Sequence, residues 1–507
     1  MRTFVLTVLF FLAHAIQSFA FCGFYVAKAD AKLFNKTSQV IIARDGTQVA
    51  ITMSSDFEGE VKDFAMVVPV AEVIQRHQIR IAKQNIFDIL DAYSGPRLVE
   101  YYDENPCQMR YNDYALSETM VAAAPMDKMM MEKEESLEDG VQILESYTIG
   151  EYDILILSAE ESNGLERWLT RNGYKIPAKA ASILEPYVKS DMKFFVVKVN
   201  LENFKKQKLE KLRPIQMTFR SERFMLPIRL GMANAKGDQD MIVYAFSKKG
   251  RIESTNYRTL EIPSNMDIPL SIQPKFGQFY TSVFDKAWKD AGKNALMLEY
   301  AWDLSSRNYV KCDPCVGTPP QYTDLREAGV FWVTDQRYGS SNYTGDIYMT
   351  RLHVRYNRKT FPQDLMFQET PNQQNFQGRY VMRHPATGNL SCDAGQKYVQ
   401  NLHTRRVEEV KNLASLTDWS TGEYQEYIRE YDKFLKNGNS PFLQPLPKKN
   451  DKGKGVLPIA LPQNQVPQLP AWFLIGMSVL VIFSVALLIR KNQRKLQLSL
   501  WCVVGKA

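Results

Sequence analysis

Ser38-Gln39-Val40-Ile41-Ile42-Ala43-Arg44-Asp45-Gly46-Thr47-Gln48-Val49-Ala50-Ile51-Thr52-Met53 is the stretch whose reading decides the fold class. Two apolar, β-branched runs, Ser38 to Arg44 and Thr47 to Met53, flank Asp45-Gly46, and glycine accepts the positive φ that a tight primed turn demands. The stretch predicts a β-hairpin. Phe64 to Val70 supplies a third strand, apolar along its length. Further strands are expected at Ile154 to Leu157, Phe194 to Val199, Ile215 to Phe219, Phe224 to Leu230, Met241 to Ser247, Leu296 to Trp302 and Tyr348 to Tyr356. Leu165, Trp168 and Leu169 recur at helical spacing and predict a helix over Glu160 to Asn172.

Because the strands come in runs rather than in strict alternation with helices, the expected class is α+β. The body is read as mostly antiparallel and β-rich with interspersed helices, in two regions, residues 21–200 and 201–440. Ser420 with Glu423 forms a capping box before Tyr424, Tyr427, Tyr431 and Phe434, which share one helix face and are read as packing on the body.

The ends of the chain carry targeting signals. Arg2 precedes the apolar run Phe4 to Ile16, and Ser18 and Ala20 are the small residues of a secretory signal spanning residues 1–20. Phe21 stands where a lipoprotein would need a small residue before Cys22. Residues 471–489 contain no charge, and at about 1.5 Å per residue a helix there reaches roughly 28 Å, enough to cross a bilayer core. Arg490, Lys491, Arg494 and Lys495 follow at once, so residues 490–507 are expected to form a cytoplasmic tail. The expected product is a single-pass membrane protein whose body lies on the extracytoplasmic side.

This placement accounts for the charge. The 507 residues hold 63 Lys and Arg against 56 Asp and Glu, a formal +7. One basic residue lies in the signal and five in the tail, leaving 57 basic and 56 acidic groups in residues 21–470. Pro441 to Pro470 holds seven prolines and four lysines against one aspartate and reads as an extended linker. The remaining body is slightly acidic, which argues against nucleic acid, whose binding depends on clustered Lys and Arg.

A resemblance covers nearly the whole exported body. Phe21-Cys22-Gly23-Phe24-Tyr25-Val26, Ala43-Arg44-Asp45-Gly46, Asp63-Phe64-Ala65-Met66-Val67-Val68-Pro69-Val70 and Pro96-Arg97-Leu98-Val99-Glu100-Tyr101 resemble the domain-of-unknown-function family 2330 of bacterial exported proteins. Phe224-Met225-Leu226-Pro227-Ile228-Arg229-Leu230, Lys311-Cys312-Asp313-Pro314-Cys315 and Thr350-Arg351-Leu352-His353-Val354-Arg355-Tyr356 agree with it. The resemblance implies a bacterial envelope location and a shared architecture. It carries no catalytic residues, because the family has no established activity.

Cysteine supplies the most chemistry. Cys22, Cys107, Cys312, Cys315 and Cys392 fall in the exported body, where oxidation is permitted, and Cys502 in the tail. Five is odd, so at most two disulfides form within one chain, and spacing does not give their connectivity. Cys312-Asp313-Pro314-Cys315 is open to three readings: a redox pair, two metal thiolates, or cysteines bonded to distant partners such as Cys392. Gly317, Pro319 and Pro320 interrupt the helix that would stabilise a redox thiolate, and no second pair at zinc spacing follows.

Two other features carry chemistry. Met120, Met126, Met129, Met130 and Met131 fall in the low-complexity stretch Ser117 to Gly140, read as a surface loop; thioethers suit Cu(I), but the loop has no His or Cys to complete a site. Alternation along a strand puts Arg351, His353 and Arg355 on one face and Leu352, Val354 and Tyr356 on the other. The basic face is either a receptor for phosphate or carboxylate, or a stripe paired with acids. No nucleophile elbow, phosphate-binding loop or H-E-x-x-H helix is present. No catalytic residue, metal set or cofactor is assigned. The sequence reads as an uncharacterised envelope protein with a binding or structural body and a possible envelope protein partner; the alternative is a thiol-disulfide oxidoreductase using Cys312 and Cys315.

Overall fold

The computed structural model describes residues 24–25, 37–54, 65–83, 85–108, 137–138, 140–172, 180–209, 211–233, 237–305, 318–336, 342–422 and 424–429. The signal, Cys22, the methionine run, Cys312, Cys315, the linker, the membrane span and the tail lie outside these residues. Among the described residues, no helix is long and apolar enough to cross a membrane.

The principal elements of the first half are β1 (Thr37–Asp45), β2 (Gln48–Met53), β3 (Ala65–Val70), β4 (Ile79–Ile81), α1 (Ile86–Ser94), β5 (Arg97–Tyr102), β6 (Val141–Ile149), β7 (Tyr152–Ala159), α2 (Ser162–Arg171), α3 (Ala180–Lys189) and β8 (Lys193–Val199). The second half adds β9 (Ile215–Arg220), β10 (Gln239–Ser247), β11 (Arg258–Glu261), β12 (Met266–Asp267), α4 (Phe276–Asp290), β13 (Ala295–Asp303), α5 (Tyr322–Glu327), β14 (Tyr348–Tyr356), β15 (Leu365–Glu369), β16 (Arg379–His384) and α6 (Asp393–Leu416). All belong to the unit Met1–Phe442.

β1 and β2 form the expected hairpin, with Asp45 opposite Gln48 and Gly46 at φ +60°. The hairpin sits inside a nine-stranded sheet with the path β11-β13-β14-β10-β1-β2-β9-β4, to which Phe376–Gln377 adds alongside β13. This sheet takes strands from both sides of residue 200. A six-stranded sheet contains β3, β8, β7 and β6 in that order. Most pairings are antiparallel, and the exceptions include β10 with β1 and β16 with β5.

Alternation explains the layering. Val40, Ile42, Val49 and Ile51 from the hairpin, Leu352 and Val354 from β14, and Met66, Val68, Ile154, Ile156, Phe195 and Val197 from the smaller sheet share one core. The other face of the large sheet packs Ile41, Ile242 and Tyr244 against Phe87 and Leu90 of α1 and Leu325 of α5. The other face of the small sheet packs Phe194 and Val196 against α2 and α3. Two sheets thus lie face to face with helices outside. Fully burying one such apolar side chain stabilises the fold by roughly 1.5–3 kcal/mol.

Two sequence expectations are corrected. Phe224 to Leu230 yields only the two-residue strand Met225–Leu226, since Pro227 has no amide to continue a ladder. The end of the loop expected over Ser117 to Gly140 is a strand, Leu137–Glu138, paired with β6.

Candidate functional site

β14 carries the basic stripe, and the structure puts its two faces where alternation predicts. Leu352, Val354 and Tyr356 are fully buried in the core between the sheets. Arg351, His353 and Arg355 face the helices, with side chains only 7%, 14% and 18% exposed.

Glu299 is what the sequence reading missed. On the neighbouring β13, the register with β14 shifts between Leu298 and Tyr300. A bulge inserts one unpaired residue and puts two successive side chains on the same face. Met297, Glu299 and Tyr300 accordingly belong to the helix side, while Leu298 and Ala301 enter the core between the sheets. The bulged glutamate is 1% exposed.

Glu299 gathers three donors. Its Oε2 accepts from Arg351 Nε at 2.6 Å, and its Oε1 lies 2.9 Å from His353 Nδ1. Tyr280 of α4 donates its hydroxyl to the same Oε1. Arg351 also reaches Asp91 of α1 at 2.7 Å and the Tyr244 hydroxyl of β10 at 3.3 Å. Arg355 grips Asp240 of β10 through Nε and Nη2 at 2.7 and 3.0 Å and pairs with Asp285 of α4. His353 Nε2 lies 3.4 Å from Asp240 Oδ1.

α4 lids the cluster. Phe284 stacks on His353 with ring centroids 3.7 Å apart, and Arg355 lies over the rings of Phe284 and Trp288. Excluding water strengthens each pairing and makes each unpaired charge costly.

The charges set each other's protonation. Burial would raise the Glu299 carboxyl, but the charges of Arg351 and His353, with hydrogen bonds from His353 and Tyr280, hold it down at about 2. Asp240 is likewise opposed by burial yet held at about 2 by His353 and Arg355. Burial would lower His353, but Glu299 and Asp240 raise it above its ordinary value. Burial raises the Tyr280 hydroxyl well above its ordinary value, and the Glu299 charge adds to this. The two carboxylates therefore favour the protonated imidazole. Such a cluster can store a proton and lock a helix to a sheet; the places an external anion would take on Arg351, His353 and Arg355 are filled by carboxylates of the chain.

The cysteines divide. Cys107, just after β5, is bonded to Cys392, 285 residues later, with Cα atoms 5.9 Å apart. Cys392 is therefore not the distant partner of Cys312 or Cys315. Cys392 also caps α6, its sulfur accepting from Gly395 N at 3.3 Å. Tyr424 is buried against the α4 and α6 core, with Tyr427 partly buried beside it; Glu423, Tyr431 and Phe434 lie outside the described residues. Tyr427 donates to Glu409, which together with Arg406 is fully buried in α6. Among the described residues, no group of three His, Cys, Asp or Glu is placed to hold a metal ion.

α4 and α6 themselves went unread, although Phe279, Val283, Phe284 and Trp288 of α4 recur close to helical spacing. In α6 the signal is hidden, because Arg406 and Glu409 occupy positions where a buried face would show apolar residues.

In comparison with known families, residues 16–368 match the model of the family DUF2330, described as an uncharacterized protein conserved in bacteria. Neither a curated protein nor a solved structure matches the chain.

Proposed function

The chain belongs to DUF2330, a family of uncharacterized proteins conserved in bacteria, and from that premise we propose that it is a non-enzymatic envelope protein. In this reading an extracytoplasmic binding or structural body is held to the membrane by a helix over residues 471–489, after removal of a signal over residues 1–20. The observation that carries the proposal is the Cys107–Cys392 bond, which joins segments 285 residues apart. Structural disulfides belong mainly to oxidising compartments. The binding or structural role draws support from the Glu299 cluster, whose buried charges pair with carboxylates and cations of the same chain.

Alkylating thiols in intact cells and resolving the protein with and without reductant tests the placement. The expected result is protection of Cys107 and Cys392 together with activity of an alkaline phosphatase fused after residue 440. Free thiols at both positions, or an inactive fusion, overturn it.

The second reading, a thiol-disulfide oxidoreductase, is favoured by one consequence of the same bond. With Cys392 engaged, Cys312 and Cys315 retain each other and Cys22 as partners within the body. Reduction of an insulin disulfide that is lost on Cys315→Ser supports that reading; no reduction by the parent protein ends it.

A further inference from the structure

A cavity of about 30 Å³ lies between the two facing sheets, walled by β2 and β9 of the large sheet and β3 of the small one. Four methionines from four separate segments line it: Met53 ends β2, Met217 lies in β9, Met192 precedes β8, and Met225 belongs to the short strand Met225–Leu226. In the register of β2 with β9, Met53 stands opposite Ile215 and Met217 opposite Ile51, so the two methionines are diagonal neighbours on one face. Such neighbours lie about 7–8 Å apart, within reach of two long side chains. Both are buried, at 1% and 0% exposure, whereas Met192 and Met225 are half-buried and connect the cavity with the surface.

The lining selects the ligand. Among the described residues around the cavity, only Ser221 and Arg223 have polar side chains. The Ser221 hydroxyl is engaged, donating to the Arg223 carbonyl at 2.7 Å, and Arg223 lies on the exposed rim, where water screens its charge. A buried water needs two to four polar partners, and this lining offers almost none, although the space would hold one. The other heteroatoms are thioether sulfurs. They are soft, neutral donors that suit Cu(I), whereas Mg(II), Ca(II) and Zn(II) take carboxylate, carbonyl, imidazole or thiolate, which the lining lacks. The cost of burying an ion grows with the square of its charge, so enclosed apolar walls also favour a monovalent one.

We propose that this cavity binds one Cu(I) ion through the thioethers of Met53, Met192, Met217 and Met225. The thioether chemistry that the run Met120 to Met131 suggests in the sequence is thus assembled elsewhere, by methionines that are far apart along the chain and brought together between the sheets. Methionine also fills irregular gaps in apolar cores, and substitution by leucine separates the two roles, because leucine keeps the volume and removes the sulfur. The proposal names a ligand for the binding body and rests on that reading.

Anaerobic titration of the full-length chain in detergent, its free thiols alkylated first, with Cu(I) in dilute acetonitrile tests it, with Zn(II) as the control metal. Uptake of one Cu(I) per chain is expected. Met53→Leu with Met217→Leu should weaken it roughly tenfold; Met192→Leu with Met225→Leu, at the half-buried positions, should weaken it similarly and supplies the measurement if the buried pair unfolds the chain. Deleting residues 126–131 should leave the affinity unchanged. No uptake of Cu(I), binding indifferent to the leucine substitutions, binding lost with residues 126–131, or Zn(II) uptake sensitive to the same leucine substitutions overturns the proposal. The phosphatase fusion reads the membrane placement independently, so a chain that takes no copper leaves that placement standing.

Discussion

Glu299 Oε1 meets His353 Nδ1 at 2.9 Å across neighbouring antiparallel strands, beneath the ring of Phe284. The contact exists because the bulge on β13 leaves Glu299 unpaired between the residues opposite Leu352 and Arg351.

Removing one member of the cluster strands the other in a dry environment. Glu299→Gln leaves Arg351 without its buried counter-charge and is expected to cost about 3–5 kcal/mol. Urea unfolding of the full-length chain measures this. Replacing Glu299 with Leu and Arg351 with Met together should recover only part of the loss, because His353 and Tyr280 still lose their buried acceptor; a single substitution costing under ~1 kcal/mol would show that the pair behaves like a surface bridge.

Stability should have a plateau bounded by two titrations. The folded pKa of His353 is raised, so its contribution is complete below the ordinary value of 6.5 and is lost as pH rises through the folded pKa. Glu299 and Asp240 are depressed to about 2, so their contribution is present above the ordinary values of 4.5 and 3.8 and is lost as pH falls toward about 2. Thermal melts across pH should show both limbs. His353→Gln should flatten the alkaline limb and also make the acid limb shallower, because His353 is one of the groups that hold Glu299 and Asp240 down.

The Cys107–Cys392 bond pins the start of α6 to the segment after β5. Cys392→Ser should lower stability by about 2–4 kcal/mol, chiefly by releasing the unfolded chain in the entropic account. Reductant should destabilise the parent protein by a similar amount and have a smaller effect on the variant, as read by melts with and without dithiothreitol.

Gly395 is the point of closest approach beside that bond. A Cβ there would meet the Leu390 carbonyl oxygen at 2.3 Å and Cys107 Sγ at 2.8 Å. Gly395→Ala is therefore expected to destabilise despite the higher helix propensity of alanine, by roughly 1–3 kcal/mol. A neutral or stabilising result in the same melts would show that the helix start can shift.

Local patterns in the sequence determined the local structure. Asp45-Gly46 between β-branched runs set the hairpin, because a primed turn needs positive φ and the strands need branched side chains. Period-two alternation separated Arg351, His353 and Arg355 from Leu352, Val354 and Tyr356, because successive strand residues point to opposite faces. What the stripe faces was decided by the tertiary structure. A one-residue bulge brought Glu299 to it, β10 brought Asp240, and α4 closed over all of them. Cysteine spacing likewise allowed several pairings, and only the approach of the α6 start to the end of β5 selected Cys107 with Cys392. Backbone preference is written within a few residues, whereas contacts across 52 and 285 positions depend on how whole layers dock, and no local pattern records that.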